Sequence, residues 1–226
     1  MPLIEFDGVS HRYGERSVLA DVTLRFDEHR IGVIGANGSG KSTFARMLNG
    51  LVLPTVGSVR VAGLDPGKQG RQVRRRVGFC FTDPDAQIVM PTVAEDIAFG
   101  LRRRGMSKDD IASRVDDALA SYGLAEHRDH AAHLLSGGQK QMLALASVLV
   151  TDPDLLVMDE PTTLLDLANA RHVSRVVAGL PQQVLLVTHH LALLEDFDRV
   201  LVFDEGRVVC DAMPVEAIGF YEKLMW

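Results

Sequence analysis

Gly35-Ala36-Asn37-Gly38-Ser39-Gly40-Lys41-Ser42-Thr43 fits the pattern G-x-x-x-x-G-K-[ST]. The stretch before it, Arg30 to Gly35, is a short apolar run with Ile31, Val33 and Ile34, and reads as a buried strand. A helix is predicted from Lys41 to Asn49, with Gly50 as its C-terminal cap. Strand, glycine loop and helix together are the context in which this pattern binds phosphate. Glycines let backbone N–H groups converge on phosphate oxygens, and the helix N-terminus adds partial positive charge. Lys41 places an ammonium on the β- and γ-phosphates, and the Ser42 hydroxyl can ligate Mg²⁺.

Strands are predicted on both sides of the loop, over Leu3 to Val9, Ser17 to Phe26, Gly57 to Ala62 and Val77 to Phe81. From about Asp83 to Val150 the pattern turns helical. Thr92 and Glu95 form a capping box that opens a helix from Val93 to about Arg103. Ser107 opens a second helix that Gly123 can end, and Ser136 opens a third that ends before Pro153. The last third alternates again: Leu155 to Met158, Asp166 to Gly179, Val184 to Thr188, Arg199 to Phe203 and Val208 to Cys210. That alternation predicts an α/β fold with a parallel sheet and crossover helices.

Two strand tips carry chemistry. Leu155 to Met158 runs into Asp159 and Glu160, and such tips are where open α/β sheets bind ligand. Asp159 is suited to hold Mg²⁺, and Glu160 to polarise an attacking water as general base. Val184 to Thr188 runs into His189, which could hydrogen-bond the γ-phosphate or the water; His190 would point elsewhere. A second glycine-bearing helix start, Leu135-Ser136-Gly137-Gly138-Gln139, can also receive an anion, although one ATP needs only one phosphate loop.

Composition excludes several classes. The 226 residues are 46% hydrophobic and 24% charged, which suits one globular domain. With 24 Lys and Arg against 30 Asp and Glu the net charge is −6, unfavourable for binding DNA or RNA. Cys80 and Cys210 are far apart and read as reduced thiols. No apolar stretch approaches the ~20 residues that span a bilayer, and the start resembles no signal peptide. A protein kept inside the cell is expected, doing any membrane work through a partner.

The set of motifs resembles the ABC ATPases over essentially the whole chain. The order is Tyr13, the phosphate loop, Leu135 to Gln139, Asp159 with Glu160, Pro161-Thr162-Thr163-Leu164-Leu165-Asp166, then His189. The resemblance implies a P-loop NTPase fold with a RecA-like parallel sheet, an antiparallel β subdomain and an inserted helical subdomain. Residues 1–82 and 151–226 would form the core and 83–150 the insert. It implies that Tyr13 stacks on adenine, that Asn37, Gly38, Ser39, Gly40, Lys41, Ser42 and Thr43 hold the phosphates and Mg²⁺, and that Lys41, Glu160 and His189 serve hydrolysis. In that family the signature of one subunit closes on ATP held by the other. Ser136, Gly137, Gly138 and Gln139 would then contact the partner's nucleotide in a head-to-tail dimer, with Asp166 at the seam. Thr82 stands where the family usually has Gln beside the metal. Its shorter side chain would act through a bridging water and contribute weakly. Gln87 is out of register to replace it.

Pro84-Asp85-Ala86-Gln87 followed by Pro91 to Gly100, with Lys140-Gln141 after the signature, is similar to the energy-coupling factor importers. The resemblance implies an ATPase that drives a transmembrane coupling protein and a membrane substrate-capture subunit from the cytoplasmic face. The cargo would be a vitamin or transition metal; the short C-terminus resembles the biotin systems, ahead of cobalt and nickel. The helical lobe around Asp85 to Arg104 would grip a coupling helix. The basic runs Arg74 to Arg76 and Arg102 to Arg104 are solvated surface or contacts to such a partner. A soluble ABC ATPase of a cytosolic assembly complex, such as iron–sulfur scaffolding, is the alternative. A chromosome-type ATPase is excluded, because only about 95 residues separate Lys41 from Ser136, too few for a long coiled coil.

Overall fold

The computed structural model describes residues 1–102 and 104–226; Arg103, in one of the basic runs, lies outside the described residues. The described residues form nine strands and seven helices, clustered in two compact units. The first holds Met1–Val77, Asp154–Glu160 and Pro181–Trp226, the second Gly78–Pro153 and Pro161–Leu180.

The first unit contains two sheets. β1 (Ile4–Tyr13), β2 (Arg16–Phe26) and β4 (Val56–Val61) are antiparallel in the order β2-β1-β4, with Ile4 opposite both Phe26 and Val61. The other sheet runs through β6 (Leu155–Asp159), β7 (Gln183–Val187), β3 (Arg30–Gly35), β8 (Arg199–Asp204) and β9 (Arg207–Ala212). The first four of these are parallel, with Asp159 beside Val187 and Val33 beside both Val187 and Leu201. Every residue of β3, β6 and β7 is buried, as expected for parallel strands covered on both faces. The last strand departs from the predicted alternation: β9 folds back on β8 through the turn at Glu205 and Gly206, so the pair is antiparallel.

α1 (Lys41–Met47) follows the glycine loop, and Gly50, with φ 74°, closes the turn after it. Its Phe44 links the two sheets, stacking on Phe6 of β1 at 4.4 Å between centroids and meeting Phe203 of β8 at 5.0 Å. Burying one such ring contributes about 2–3 kcal/mol. Two helices of this unit carry no strong sequence signal, α2 (Gly70–Arg76) and α7 (Pro214–Met225). α2 holds Arg74 to Arg76 in its last turn and buries only Val73.

β5 (Val77–Cys80) carries the chain into the second unit, which is helical. α3 (Val93–Phe99) starts at the predicted capping box but ends before Gly100, short of the expected Arg103. α4 (Lys108–Ser121) is capped by Ser107, α5 (Gly137–Leu149) by Ser136 and α6 (Leu167–Ala178) by Asp166. Asp96, almost wholly buried on α3, accepts from the backbone of Val89 and Met90 and from Ser147 Oγ on α5. It therefore pins the segment entering α3 to the helix behind it. Cys80 is fully buried here, and burial pushes its thiol up to about 12, which makes it unreactive at neutral pH.

Candidate active site

The glycine loop ends where β3 stops and α1 begins. Gly40 sits there with φ 103°, and a Cβ on it would lie 2.6 Å from the carbonyl oxygen of Val18. Only glycine accepts both the backbone and the approach. The turn aims Lys41 back along its own loop, where Nζ donates to the carbonyl oxygens of Gly35 at 2.8 Å and Ala36 at 2.9 Å. Lys41 is 7% exposed. Burial lowers its pKa, while Glu160 and then Asp159 oppose the shift. Its donors thus rest on neutral carbonyls in a dry place, where an incoming phosphate would be a stronger acceptor. Ser39, in the same loop, is buried, and its hydroxyl has no partner among the described residues. That orphaned donor fits a ligand in the loop.

Asp159 ends β6, 1% exposed. Ser42 Oγ donates to its Oδ1 at 2.8 Å, and Arg46 Nη2 meets its Oδ2 at 3.2 Å. A hydroxyl and a carboxylate side by side are the hard oxygen donors that Mg²⁺ takes alongside substrate phosphates. No cluster of three or more His, Cys, Asp or Glu suited to a metal occurs among the described residues, and a phosphate-bound Mg²⁺ does not need one.

Glu160 has φ 55°, a left-handed conformation that costs a non-glycine residue roughly 1 kcal/mol or more and concentrates at functional sites. Its N–H donates to the Val187 carbonyl at 2.9 Å, so β7 sets its aim. His189, two residues past the end of β7, brings Nδ1 to 2.7 Å from Glu160 Oε2 and its N–H to 3.3 Å from the same oxygen. His190 packs edge-on against the His189 ring at 4.3 Å.

Lys41, Ser42 and Glu160 line one cleft of about 300 Å³. Its walls include Tyr13, Arg16, Asn37, Gly38, Lys41 and Glu160. Tyr13, at the end of β1, is 52% exposed and meets His11 edge-on. It offers one ring face to a planar ligand. Two arginines, one lining this cleft and one bound to Asp159, escape sequence reasoning. Arg16 leads β2 in, and its guanidinium lies 3.5 Å from where a Cβ on Gly38 would be. Arg46 is one helical turn beyond Ser42, and that i, i+4 spacing is the signal that could have found it.

The second glycine-bearing motif lies in the other unit. Ser136 and Gln139 close a capping box at the start of α5: Gln139 N–H donates to Ser136 Oγ, and Ser136 N–H to Gln139 Oε1. Ser136 and Gly137 are exposed and Gly138 is buried. Gly138 faces Asn169 of α6, whose side chain is tied to Asp166. Asp166 thus caps α6 and braces the residue that packs on the signature glycine. Thr82 follows β5 and is half-buried. Gln87 receives the Phe81 N–H at Oε1 and donates to the Ala144 carbonyl through Nε2, so both ends of its amide are spent on this unit's own backbone. Lys140 pairs with Asp85 at 2.7 Å, a second rivet between that turn and α5.

The profile of the ABC transporter family matches residues 19–163. The biotin transport ATP-binding protein BioM of Rhizobium etli is 48% identical over 98% of both chains. The energy-coupling factor transporter ATP-binding protein EcfA1 of Caldanaerobacter subterraneus is 40% identical over 98% of this chain and 84% of its own. The solved structure of cbiO1 from Clostridium perfringens, described as part of the ABC transporter complex cbiONQ, superposes with a TM-score of 0.85 at 29% identity. It covers 98% of this chain and 92% of that one. With its phosphate loop, acidic strand tip and capped signature in the order this family uses, the chain belongs to the ABC transporter family and is one of its ATP-binding, ATP-hydrolysing subunits.

Proposed function

We propose that the chain energises an importer of the energy-coupling factor class that carries biotin. The observation that carries the catalytic part is the approach of two strand-tip carboxylates to buried Lys41, each already held in place: Asp159 by Ser42, Glu160 by His189. The importer class rests on the EcfA1 relative and on the two rivets that join the Pro84 to Gln87 turn to α5. Biotin rests on the BioM relative. We keep the two units as core and helical subdomain of one ABC ATPase domain.

In this reading ATP lies with its adenine on Tyr13 and its phosphates on the amides of residues 37–43. Lys41 leaves its loop carbonyls for the β- and γ-phosphates, and Arg16 flanks the phosphates. Ser42 and Asp159 would hold Mg²⁺, which when bound neutralises phosphate charge. Glu160 accepts the proton of the attacking water, and His189 keeps its carboxylate turned toward that water. Catalysis is then positioning and electrostatics. A second copy supplies Ser136, Gly137, Gly138 and Gln139 to the same triphosphate, and Asp166 joins the two sites. The closing motion is passed to a transmembrane coupling protein and a membrane capture subunit. No helix among the described residues is long and apolar enough to cross a membrane, so that contact would be peripheral.

Thr82 lies near the metal only through water in this reading. Thr82→Ala is expected to keep hydrolysis within about threefold, the effect of one weak hydrogen bond. Loss as complete as in Glu160→Gln, measured by phosphate release, would overturn that assignment. Cargo is tested in vesicles holding the chain with its coupling and capture proteins. ATP inside is expected to drive biotin accumulation that Lys41→Ala abolishes. ATP-dependent uptake of cobalt or nickel instead would keep the class and reject biotin.

A further inference from the structure

Behind the signature sits a histidine pair that the hydrolytic scheme does not use. His127 and His130 lie on the turn between α4 and α5. Their Nδ1 atoms are 2.8 Å apart, and His127 Nε2 is 2.8 Å from Nε2 of Gln139. The direction of every proton in this chain follows from one fixed donor. The Ser136 backbone N–H must point at an oxygen, so Gln139 presents Oε1 to it and Nε2 to His127. His127 Nε2 must then accept, which puts the ring proton on Nδ1. That proton is donated to His130 Nδ1, which must also accept.

We infer that His127, backed by His130, is a positioning residue for the signature, holding the Gln139 amide in the one orientation that closes the capping box, and that protonating the pair releases it. If His127 gains a proton, both its nitrogens donate and Nε2 meets the Gln139 amide donor. If His130 gains it, His127 must take the other tautomer, with the same collision. Turning the Gln139 amide relieves the collision only by facing its NH₂ to the Ser136 N–H. Either way the cap at Ser136 opens. The inference rests on the proposed contact of Ser136 and Gln139 with the partner's triphosphate. The neutral pair is therefore the competent one, and protonation disengages it.

Charged neighbours on the packed elements are engaged elsewhere. Asp116 of α4 binds Arg128, Glu95 at the cap of α3 binds Thr92, and Lys140 of α5 binds Asp85. Glu126, Asp129 and His133 share the turn and are exposed. None of them bonds to either ring, whose only hydrogen bonds among the described residues are those given above.

The test uses the full chain. In ¹⁵N spectra of the folded protein at neutral pH, His127 is expected in the Nδ1–H form, against the Nε2–H form that free histidine favours. ATPase is then followed from neutral pH down through the acid range over which the protein stays folded. His127→Gln keeps an acceptor without a titration and is expected to hold the neutral rate with a shallower acid limb. His127→Phe has no acceptor and is expected to be about three- to tenfold slower throughout, one hydrogen bond's worth. An Nε2–H tautomer on His127, or acid limbs identical in wild type and His127→Gln, overturns the inference; the tautomer decides even if a variant misfolds. Ser136→Arg separates the two levels. If Ser136→Arg abolishes hydrolysis while His127→Phe matches wild type, the brace fails alone. If Ser136→Arg is fully active, the trans contact fails with it.

Discussion

Glu160→Gln is expected to lower phosphate release by about 10³-fold, within the 10²–10⁴ that general-base catalysis supplies, while ATP stays bound. The substitution is nearly isosteric. A glutamine oxygen turned toward His189 still accepts from both its Nδ1 and its backbone N–H, so the strand tip keeps its form. What is lost is the proton acceptor. Glu160 is also one of the two carboxylates that oppose the lowering of the Lys41 pKa, so removing it takes negative charge from the place where the γ-phosphate must sit. Affinity for ATP should therefore rise as hydrolysis stops, and the chain should accumulate as an ATP-filled dimer. Retained nucleotide after gel filtration and the phosphate-release rate check both. Hydrolysis within about threefold of wild type would remove Glu160 from the general-base role.

Gly138→Ala sets two effects of opposite sign against each other. Alanine in place of a helical glycine ordinarily stabilises by about 1 kcal/mol. Here its Cβ would stand 2.3 Å from Asn169 Oδ1 and 2.4 Å from Asn169 Cγ. That side chain is short and is held by Asp166 at 3.0 Å, so it can move only by giving up the bond. Overpacking of this kind costs about 1–3 kcal/mol, which matches or exceeds the propensity gain. A net loss of up to about 2 kcal/mol is expected in thermal denaturation. Hydrolysis should fall more than stability accounts for, by at least about tenfold, because α5 and α6 meet at this contact and carry Ser136 and Asp166 at their starts. Adding Asn169→Ala should recover much of both. A Gly138→Ala protein as active as wild type would show that the contact yields cheaply and has no part in the cycle.

How far the sequence could be read depended on whether a feature is local. The phosphate loop, the capping boxes at Thr92 and Ser136 and the helix start at Ser107 are short-range chemistry, and each appears where the residues predict. The buried strands β3, β6 and β7 were equally plain, because a parallel strand covered on both faces is a continuous apolar run. α2 was not legible: seven residues with one buried position have no period to read. The direction of β9 depends on a two-residue turn at Glu205 and Gly206, and periodicity is blind to direction. At the site, Asp159, Glu160 and His189 announced themselves as polar tips on apolar strands. Arg16, Arg46 and the His127–His130 pair did not, since their partners are distant in sequence or are a backbone whose path the residues alone do not reveal.

Subunit complementation tests the shared nucleotide most directly. Lys41→Ala spoils the cradle and leaves the signature intact; Ser136→Arg, at an exposed cap position, spoils the signature and leaves the cradle intact. Each protein alone should be inactive. Mixed in equal amounts, half of the head-to-tail dimers pair one of each, and such a dimer has one site built from two undamaged halves. The mixture is therefore expected to regain about a quarter of the wild-type ATPase rate. A mixture no more active than its components, with both proteins folded and exchanging partners, would mean that the serine–glycine helix tip of one copy does not complete the site of the other.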